Sequence, residues 1–456
     1  MDTQYAYNSW GRVFHPTHAV YPVYWDQELF EIFRQVRAHG KSMLAHGFGR
    51  SYGDSCLNDQ GALIVTPPLS KVKFFDAQAG IICCEAGASL SQLLDLIVPR
   101  GWFLPVSPGT KFISVGGAVA NDVHGKNHHV AGTFGRHIKC FELMRSDGKR
   151  LICSPTENSE LFAATIGGLG LTGFITWVEF GLIPIESDIM EVCVRKFDSL
   201  DEYLRIASEF DRSYTYTVAW IDCLAKGRSL GRGHLIAGEH HPAARGLRRI
   251  KGPHLPNVPI DLPNFALNSW TMSWFNQIYY HRMREKVTRF LQPTDSFFYP
   301  LDGIGNWNRI YGKRGMRQFQ AVISQSKSQA LASMLALISR SQTASFLAVL
   351  KTFGKLASPG LLSFPAPGFT LSIDFPDYGQ RTMKLFRLLE DIVMAHGGRI
   401  YPAKDSMLSS DAFKAGYANL PAFVTQVDPG FSSSFWRRVY EGSETKEWKN
   451  ALKTAS

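Results

Sequence analysis

Short apolar runs alternate with glycine-rich or polar turns along residues 40–185. One segment between two of these runs is SLSQLLDLIVPRG. Its aliphatic side chains have helical spacing over residues 90–98, and Gly101 marks the end of that predicted helix. A second helix-like run is NSELFAATIGG. The apolar runs themselves have the length of strands; they are SMLAHGFG, GALIVTPP, IICCEAGA, FELMRSDG, RLICSPT and FITWVEFGL. This pattern predicts an α+β domain with a mixed sheet.

The pattern changes after about residue 185. The runs QFQAVIS, SFLAVLKTFG and FTLSIDFP predict strands, and SQALASMLALISRSQ predicts a helix. These elements indicate a second sheet with helices over one face.

A basic segment, residues 226–251, has a single acidic residue, Glu239. Its seven basic residues are Lys226, Arg228, Arg232, Arg245, Arg248, Arg249 and Lys251. The segment has little periodicity, which predicts a mobile surface loop. With Trp270, Trp274 and Phe275 it could lie against an anionic membrane, where each basic residue contributes roughly 1 kcal/mol. A solvated loop without function is the open alternative.

Length and charge narrow the class of protein. A chain of 456 residues is too long for one ordinary core and suggests two domains. The formal charge of +10 favours anionic partners, such as a phosphorylated substrate, a cofactor phosphate or acidic lipid. Nucleic acid is not expected, because zinc-finger spacing, RNA-binding signatures and long Lys/Arg runs are absent from the sequence.

Targeting signals and cysteines point to a reduced, cytoplasmic setting. The N-terminal sequence lacks the basic and apolar regions of a signal peptide, and no apolar run reaches the ~18 residues that span a bilayer. The seven cysteines are odd in number and contain no C-x-x-C pair, so we expect them to be reduced and structural.

Three glycine-rich turns adjoin predicted strands. The first, HGFGRSYGD at 46–54, offers backbone N–H groups to a phosphate but has neither P-loop nor Rossmann spacing, so a plain tight turn is equally open. The second, within 105–129, removes side chains at Gly116 and Gly117. The third, ATIGGLGLTGFIT, holds four glycines in seven residues. An extended phosphorylated cofactor laid across all three would explain them together.

Three histidines crowd residues 124–129, in the sequence HGKNHH. The intervening glycine and asparagine are poor helix formers, and Asp122 is the only acid nearby. The spacing is not H-E-x-x-H, so we expect no metal site. A loop that contacts a phosphate or a flat ring is favoured, with an ordinary polar loop as the alternative.

The motifs G-x-G-R-S-Y-G-D, E-A-G-A-S-L-x-Q-L, P-V-x-P-G-T, V-G-G-A-V-A, H-G-K-N-H-H and G-G-L-G-L-T-G occur in this order. This order resembles the FAD domain of the vanillyl-alcohol-oxidase (PCMH-type) flavoproteins. Farther along, YTYTVAWID, YPLDGIGNWNRIYG, FLAVLKTFG, LSFPAPGF, IDFP and YPAKDS resemble the decaprenylphosphoryl-β-D-ribose oxidases of that superfamily. The resemblance covers nearly the whole chain, and H-G-K-N-H-H and W-N-R-x-Y-G are its most specific motifs.

The fold that this resemblance implies is α+β, with a two-domain PCMH-type FAD-binding fold and a second, antiparallel-sheet substrate domain. We expect the FAD-binding domain at 1–185 and the substrate or cap domain at 186–400. A C-terminal segment, 401–456, is expected to return to the FAD domain.

The resemblance also implies where FAD binds. Its pyrophosphate is expected on the turn at 47–54 and the loop at 114–121, and its adenine near 168–175. Many relatives bond flavin covalently to a histidine of the first turn; Arg50 stands there, and residues 105–117 contain no cysteine, so non-covalent FAD is expected. The implied cofactor-binding residues are Gly47, Phe48, Gly49, Arg50, Ser51, Tyr52, Gly53, Asp54, Pro108, Gly109, Ser114, Gly116, Gly117, Ala120, Asn121, His124, Gly125, Asn127, Gly168, Gly170, Thr172, Gly173, Ile175 and Lys404.

The implied chemistry is hydride transfer from a sugar carbinol carbon to flavin. Lys404 is the first choice to stabilise reduced flavin or to accept the hydroxyl proton, and Tyr52 and His124 are expected to orient groups or relay protons beside it. The structural alternative for Lys404 is a solvated loop lysine, and for His128 and His129 it is a core histidine. The implied substrate-binding residues are Tyr311, Gln318, Gln320, Lys351 and Ser372.

Two features of the substrate residues follow from their chemistry. Gln318 and Gln320 alternate on a predicted strand, so both face one side, where they can bind sugar hydroxyls. Lys351 and Tyr311 suit a substrate phosphate. Ser372 stands where mycobacterial members of the family carry a cysteine.

The activity implied is oxidation of the 2′-hydroxyl of a polyprenylphosphoryl-β-D-ribose to the 2′-keto sugar. This is the first half of the epimerisation that makes the arabinofuranose donor for cell-wall arabinan. A separate short-chain NAD(P)H-dependent ketoreductase is the implied partner. Two alternatives stay open, an oxidase of sugar alcohols or aldonolactones and a non-catalytic flavoprotein. We expect a cytoplasmic protein that lies peripherally on the inner membrane, with its periplasmic face as the alternative.

Overall fold

A computed structural model of the chain describes residues 7–242, 249–252, 256–343 and 346–442. Within these ranges, no helix combines the length and the apolar character needed to cross a bilayer.

The first part of the chain forms small sheets flanked by short helices. Its strands are β1 (Ala19–Pro22), β2 (Met43–His46), β3 (Ala62–Val65), β4 (Val72–Asp76), β5 (Ile81–Glu85), β6 (Trp102–Phe103), β7 (Ile138–Met144), β8 (Arg150–Cys153), β9 (Phe174–Gly181) and β10 (Ile183–Pro184). Its helices are α1 (Glu28–Ala38), α2 (Leu90–Ile97), α3 (Val115–Ala120), α4 (His128–Ala131) and α5 (Ser159–Thr165).

Parallel and antiparallel pairing both occur here, but in separate sheets, so the single mixed sheet that the sequence predicts is wrong. One sheet is parallel in the order β1-β3-β2, and its central strand, β3, is a continuous buried apolar run. The other sheet is antiparallel in the order β4-β5-β9-β7-β8, and β6 pairs with β10 separately. Helix α2 begins at a capping box between Ser89 and Gln92 and buries the aliphatic stripe that its spacing predicts.

The second part of the chain forms one large sheet. Its strands are β11 (Ile189–Phe197), β12 (Tyr216–Ile221), β13 (Gly233–His240), β14 (Val287–Pro293), β15 (Met316–Ile323), β16 (Ala348–Phe353), β17 (Gly368–Pro376) and β18 (Arg399–Ile400). They pair antiparallel in the order β14-β11-β13-β12-β16-β17-β15-β18. The helices are α6 (Leu200–Ser213), α7 (Ser269–His281), α8 (Thr294–Phe298), α9 (Gln329–Ser341), α10 (Gln380–Ala395), α11 (Ser410–Gly416), α12 (Leu420–Val424) and α13 (Ser434–Trp436).

Strand alternation gives this sheet two chemically different faces. On β15, Phe319, Ala321 and Ile323 join a core that also contains side chains of α6, α9 and α10. Because successive side chains point to opposite faces, Gln318 and Gln320 lie on the other side. The predicted strand and the shared face of the two glutamines are therefore present.

The predicted mobile loop over residues 226–251 is wrong for residues 233–240, which form β13. This strand pairs with β11 on one side and β12 on the other, so its backbone is fixed within the sheet. Leu235 and Ala237 are buried in the core. The run GHLIAGEH conceals the strand, because glycine and histidine dilute the apolar alternation.

Much of the basic charge of this segment is neutralised by acids. Arg232 pairs with Asp222 at 2.9 Å. Arg249 is buried and pairs with Asp295, with Asp188 at 3.6 Å. These two arginines are therefore not presented to a membrane as predicted, while Arg245 and Arg248 lie outside the described residues.

The C-terminal segment packs onto the first glycine turn through a buried arginine. Arg438 donates to both carboxylate oxygens of Asp54 at 2.8 Å and to Asp405 at 2.9 Å. The two carboxylates hold the pKa of Arg438 above its ordinary value, although burial opposes them. One guanidinium thus joins the first glycine turn to the residue after Lys404.

Arg438→Met is expected to lower the free energy of unfolding by about 3–5 kcal/mol, because two buried carboxylates lose their counter-cation. Urea unfolding followed by tryptophan fluorescence measures the change. The control is Arg34→Met, whose pair with Glu31 is exposed and should leave stability unchanged. Equal stability of the two variants would contradict this role of Arg438.

Candidate active site

The first glycine turn, the histidine loop, the polar face of the large sheet and residues 401–405 meet around one group of polar side chains, which we call the pocket. The backbone N–H of Tyr52 donates to Ala403 O at 3.0 Å, and the Nζ of Lys404 lies 4.1 Å from the centre of the Tyr52 ring. Gln320 and Lys351 contact His124 from the sheet side. All three residues predicted to be catalytic therefore line one pocket.

Lys404 faces an acid that the sequence did not suggest. Burial lowers the pKa of Lys404 to about 8, and the nearby Asp374 opposes that shift. Burial raises the pKa of Asp374 to about 7, against the hydrogen bond from Gln318 and the charge of Lys404. The Asp374 carboxyl and the Lys404 amine therefore both gain or lose a proton close to neutral pH. Two signals pointed to Asp374 without assigning it a role: it lies in the motif IDFP, and it follows Ser372 by two positions on the same strand face.

Tyr52 lies against the same pair. Burial, and then the charge of Asp374, raise its pKa well above the ordinary value, whereas a hydrogen bond from Gln318 acts in the opposite direction. The phenol therefore stays protonated and can donate a hydrogen bond, but it is a poor proton acceptor.

Hydrogen bonding assigns the proton of His124. Gln320 Nε2 donates to Thr370 Oγ1 at 3.2 Å and lies 3.1 Å from His124 Nε2, which then accepts. The imidazole proton is thus on Nδ1, 3.0 Å from the Nζ of Lys351. Burial together with Lys126 and Lys404 lowers the pKa of Lys351 to about 7, so near neutral pH part of it is a neutral amine that can accept this hydrogen bond. Burial also holds the pKa of His124 well below its ordinary value, so the ring stays neutral.

Lys126 is a pocket residue that the sequence reasoning missed, although it lies within H-G-K-N-H-H. Its Nζ donates to Phe298 O at 2.9 Å. Burial lowers its pKa to about 7, with Asp302 opposing the shift. Lys126, Lys351 and Lys404 are each half-buried, and Lys351 has its pKa lowered by both of the others.

The pocket is suited to an anion. Burial lowers the pKa of all three lysines, and Lys351 is lowered further by the other two, so these groups regain their charge when a negative group binds between them. The buried Nε of Arg50, whose guanidinium lies 3.9 Å over the Trp10 ring, also has no hydrogen-bond acceptor among the described residues. A phosphorylated or redox-anionic cofactor and a phosphorylated substrate both fit these cations.

The three glycine turns adjoin one another. A Cβ on Gly47 would lie 2.4 Å from Ser114 Oγ, so the first turn touches the cap of α3. The third turn bonds to the end of the same helix through Leu169 N and Ala120 O, 2.8 Å apart. The surface predicted for an extended cofactor is therefore continuous.

The glycines of these turns serve different purposes. A Cβ on Gly53 would lie 1.5 Å from Asp405 O, and one on Gly116 would lie 2.9 Å from Ala86 Cβ. These two allow the chain to pack against itself, which corrects the expectation that Gly116 leaves room for a ligand. By contrast, Gly109 has nothing within 4 Å of its Cβ direction, and Gly117 meets only Ser114 Oγ.

The remaining histidines anchor the loop. His128 Nδ1 accepts from Gly354 N at 3.1 Å, and its ring lies 4.4 Å from that of Phe353. His129 Nε2 donates to Tyr214 O at 2.9 Å. In the described part of the chain, no three His, Cys, Asp or Glu side chains are grouped to hold a metal ion.

The other predicted substrate residues lie at the edges of the pocket. Ser372 is half-buried on β17 and opposite Gln320 in the strand register. Tyr311 is buried in an apolar cluster with Tyr52, and its ring stacks on Phe346 at 5.7 Å. The roles assigned to these residues stay predictions.

Comparison with known proteins places this geometry in context. An FAD binding domain family matches residues 18–154. Decaprenylphosphoryl-β-D-ribose oxidase of Mycolicibacterium smegmatis is 34% identical over 94% of this chain and 96% of its own length. An uncharacterized Streptomyces coelicolor protein is 31% identical over 77% of this chain and 99% of its own length. D-arabinono-1,4-lactone oxidase of Yarrowia lipolytica is 28% identical over only 40% of this chain and 36% of its own length.

Asp374→Asn is expected to lower the pKa of Lys404 below about 8, because the carboxylate that favours the ammonium form is removed. Nitrogen-15 NMR titration of the lysine Nζ groups measures the shift. The matched control is Asp302→Asn, which should lower the pKa of Lys126 instead and leave Lys404 unchanged. A Lys404 titration that is the same in all three proteins would refute the pairing.

Proposed function

Because the chain belongs to the decaprenylphosphoryl-β-D-ribose oxidase family of FAD-dependent oxidoreductases, we propose that it oxidises the 2′-hydroxyl of a polyprenylphosphoryl-β-D-ribose to the 2′-keto sugar. The observation that carries the proposal is the pocket itself. Lys404, Tyr52 and His124 meet two glutamines on the polar sheet face. The half-buried cations there favour a phosphorylated sugar.

FAD is proposed to bind non-covalently across the three glycine turns. Arg50, in the turn where relatives carry a flavin-linked histidine, has no nucleophilic atom to offer and instead stacks on Trp10. The proposed division at residue 185 agrees with the strand pairing, since β1–β10 pair only among themselves and β11–β18 form the large sheet.

FAD held across the three glycine turns would supply the acceptor for the hydride that leaves the ribose 2′-carbon. The hydroxyl proton then passes to the neutral amine of Lys404 as the carbon–oxygen double bond forms. A pKa of about 8 suits this task, because a fraction of Lys404 is neutral at physiological pH and the proton affinity remains useful. Asp374 then stabilises the ammonium that results.

Other pocket residues orient the sugar. Gln318 and Gln320 are fixed by Asp374 and Thr370 on rigid strands, so their remaining amide atoms can hold sugar hydroxyls in one orientation. Neutral His124 acts as a hydrogen-bonding relay between Gln320 and Lys351 rather than as an acid. Lys351 and Tyr311 are proposed to bind the substrate phosphate, which would return Lys351 to its charged form.

The keto product implies a partner. Completing an epimerisation requires a hydride from the opposite face of the ketone, so we propose a separate short-chain NAD(P)H-dependent reductase as the next enzyme. A prenyl substrate partitions into a bilayer, and peripheral contact with the inner membrane is therefore part of the proposal.

Anaerobic flavin reduction tests the activity. Synthetic polyprenylphosphoryl ribose should bleach the flavin absorbance and yield the 2′-keto sugar, identified by mass spectrometry, while acid precipitation should release all flavin from the protein. Bleaching by a soluble alditol or aldonolactone, with none by the prenyl substrate, would favour a different sugar oxidase. Yellow flavin retained on the precipitate would contradict non-covalent binding.

Lys404→Met is expected to reduce kcat by ~10²–10⁴-fold through loss of the proton acceptor. In the unmodified protein kcat/KM should rise with pH through about 8, because deprotonation creates the neutral amine. The control Lys355→Met changes an exposed lysine and should retain full activity. A rate that falls as pH rises through 8 would instead assign Lys404 a cationic role.

A further inference from the structure

Helix α7 presents an apolar stripe to solvent. Trp270, Trp274 and Ile278 follow one another at four-residue intervals and are 86%, 72% and 51% exposed. Phe275 lies beside them and is 41% exposed. Together these four residues form the outer apolar face of α7. The helix buries Met272, Asn276 and Tyr280 on its other side, so its outer face exposes large apolar side chains that no described element covers, which is unusual at a protein surface.

The charge around this face is positive. No acidic residue occurs within α7, and the exposed residues just after it include Arg282, Arg284 and one acid, Glu285. Ahead of the helix, Phe265 is 78% exposed and Ile260 is 68% exposed. Tryptophans flanked by arginines are typical of the interface between a bilayer and water, where the indole N–H remains hydrated and the ring is buried.

An unbroken series of apolar contacts joins this face to the pocket. Phe275 contacts Phe346 with ring centres 5.8 Å apart, and Phe346 stacks on Tyr311 at 5.7 Å. Tyr311 belongs to the same buried cluster as Tyr52, whose ring lies under the Nζ of Lys404. A prenyl chain that follows this series displaces packed rings on its way and reaches the surface at α7.

We infer that the outer apolar face of α7 seats on an anionic lipid bilayer, and that the prenyl chain of the substrate runs between the bilayer and the pocket along Phe275, Phe346 and Tyr311. The inference rests on the proposed function for the identity of the chain, but the seating on lipid stands on the surface alone. It keeps the predicted membrane contact of Trp270, Trp274 and Phe275 and leaves out the basic segment, because Arg232 and Arg249 are paired with acids.

The seating is tested with the flavin-loaded protein and the double variant Trp270→Ser/Trp274→Ser. Vesicles of phosphatidylcholine and phosphatidylglycerol should bind the unmodified protein, and the double variant should have a partition coefficient on the order of tenfold lower. The control Trp25→Ser removes a tryptophan that is 55% exposed elsewhere and should bind as the unmodified protein does. An unchanged thermal midpoint verifies that the double variant is folded.

The route of the chain is tested by kinetics with two substrates. A long-chain prenylphosphoryl ribose in the same vesicles should lose about tenfold in kcat/KM with the double variant, while a short-chain, water-soluble analogue should be oxidised at the unmodified rate. If neither substrate is oxidised by the unmodified protein, the proposed function fails, and vesicle binding still decides the seating.

Several results would overturn the inference. One is equal vesicle binding by the double variant and the unmodified protein. Another is a loss that is the same for the long and short substrates. A third is a protein that ignores vesicles but forms dimers that the double variant abolishes, since the face would then join two copies of the chain.

Discussion

Charge held in a low-dielectric interior must be matched by charge of the opposite sign, and this constraint organises the molecule. Arg438 satisfies it within the chain, because Asp54 and Asp405 receive its guanidinium. Lys126, Lys351 and Lys404 satisfy it only in part, with lowered pKa values as the result. The need to match buried charge thus explains both the rigid junction at Arg438 and the neighbouring pocket, whose lysines favour an anion.

The junction and the pocket are joined through adjacent residues. Lys404 precedes Asp405, and Tyr52 lies two positions before Asp54 in the first glycine turn. The backbone of Gly53 approaches Asp405 too closely for any side chain to intervene. The C-terminal segment therefore contributes to the placement of pocket residues that come from opposite ends of the sequence.

Local patterns predicted the elements that depend on local physics. The period of two on β15 placed Gln318 and Gln320 on one face, and the capped apolar stripe identified α2. Prediction from the sequence was wrong where tertiary packing determines the secondary structure. β13 contains too much glycine and histidine to show its alternation, and its two neighbouring strands fix it in place.

Some polar residues of the pocket could be identified from local sequence, and others only from their surroundings in the fold. Lys404 and His124 were found through motifs, whereas Asp374 and Lys126 acquire meaning only from the groups that surround them. Asp374 matters because Lys404 lies opposite it, across a separation of thirty residues in the chain. No short stretch of sequence shows that these two side chains are close in space. The same holds for Arg438, whose partners Asp54 and Asp405 are even farther away along the chain.

Strand β15 carries pocket residues on one face and core residues on the other, and this double duty limits how the protein can vary. Inserting or deleting one residue within the strand would exchange the faces, so that glutamines would enter the core and phenylalanine would enter the pocket. We therefore expect relatives to differ in this strand by substitutions rather than by insertions or deletions. Sugar preference in the family can drift by exchange of single side chains, while the length of the strand stays constant.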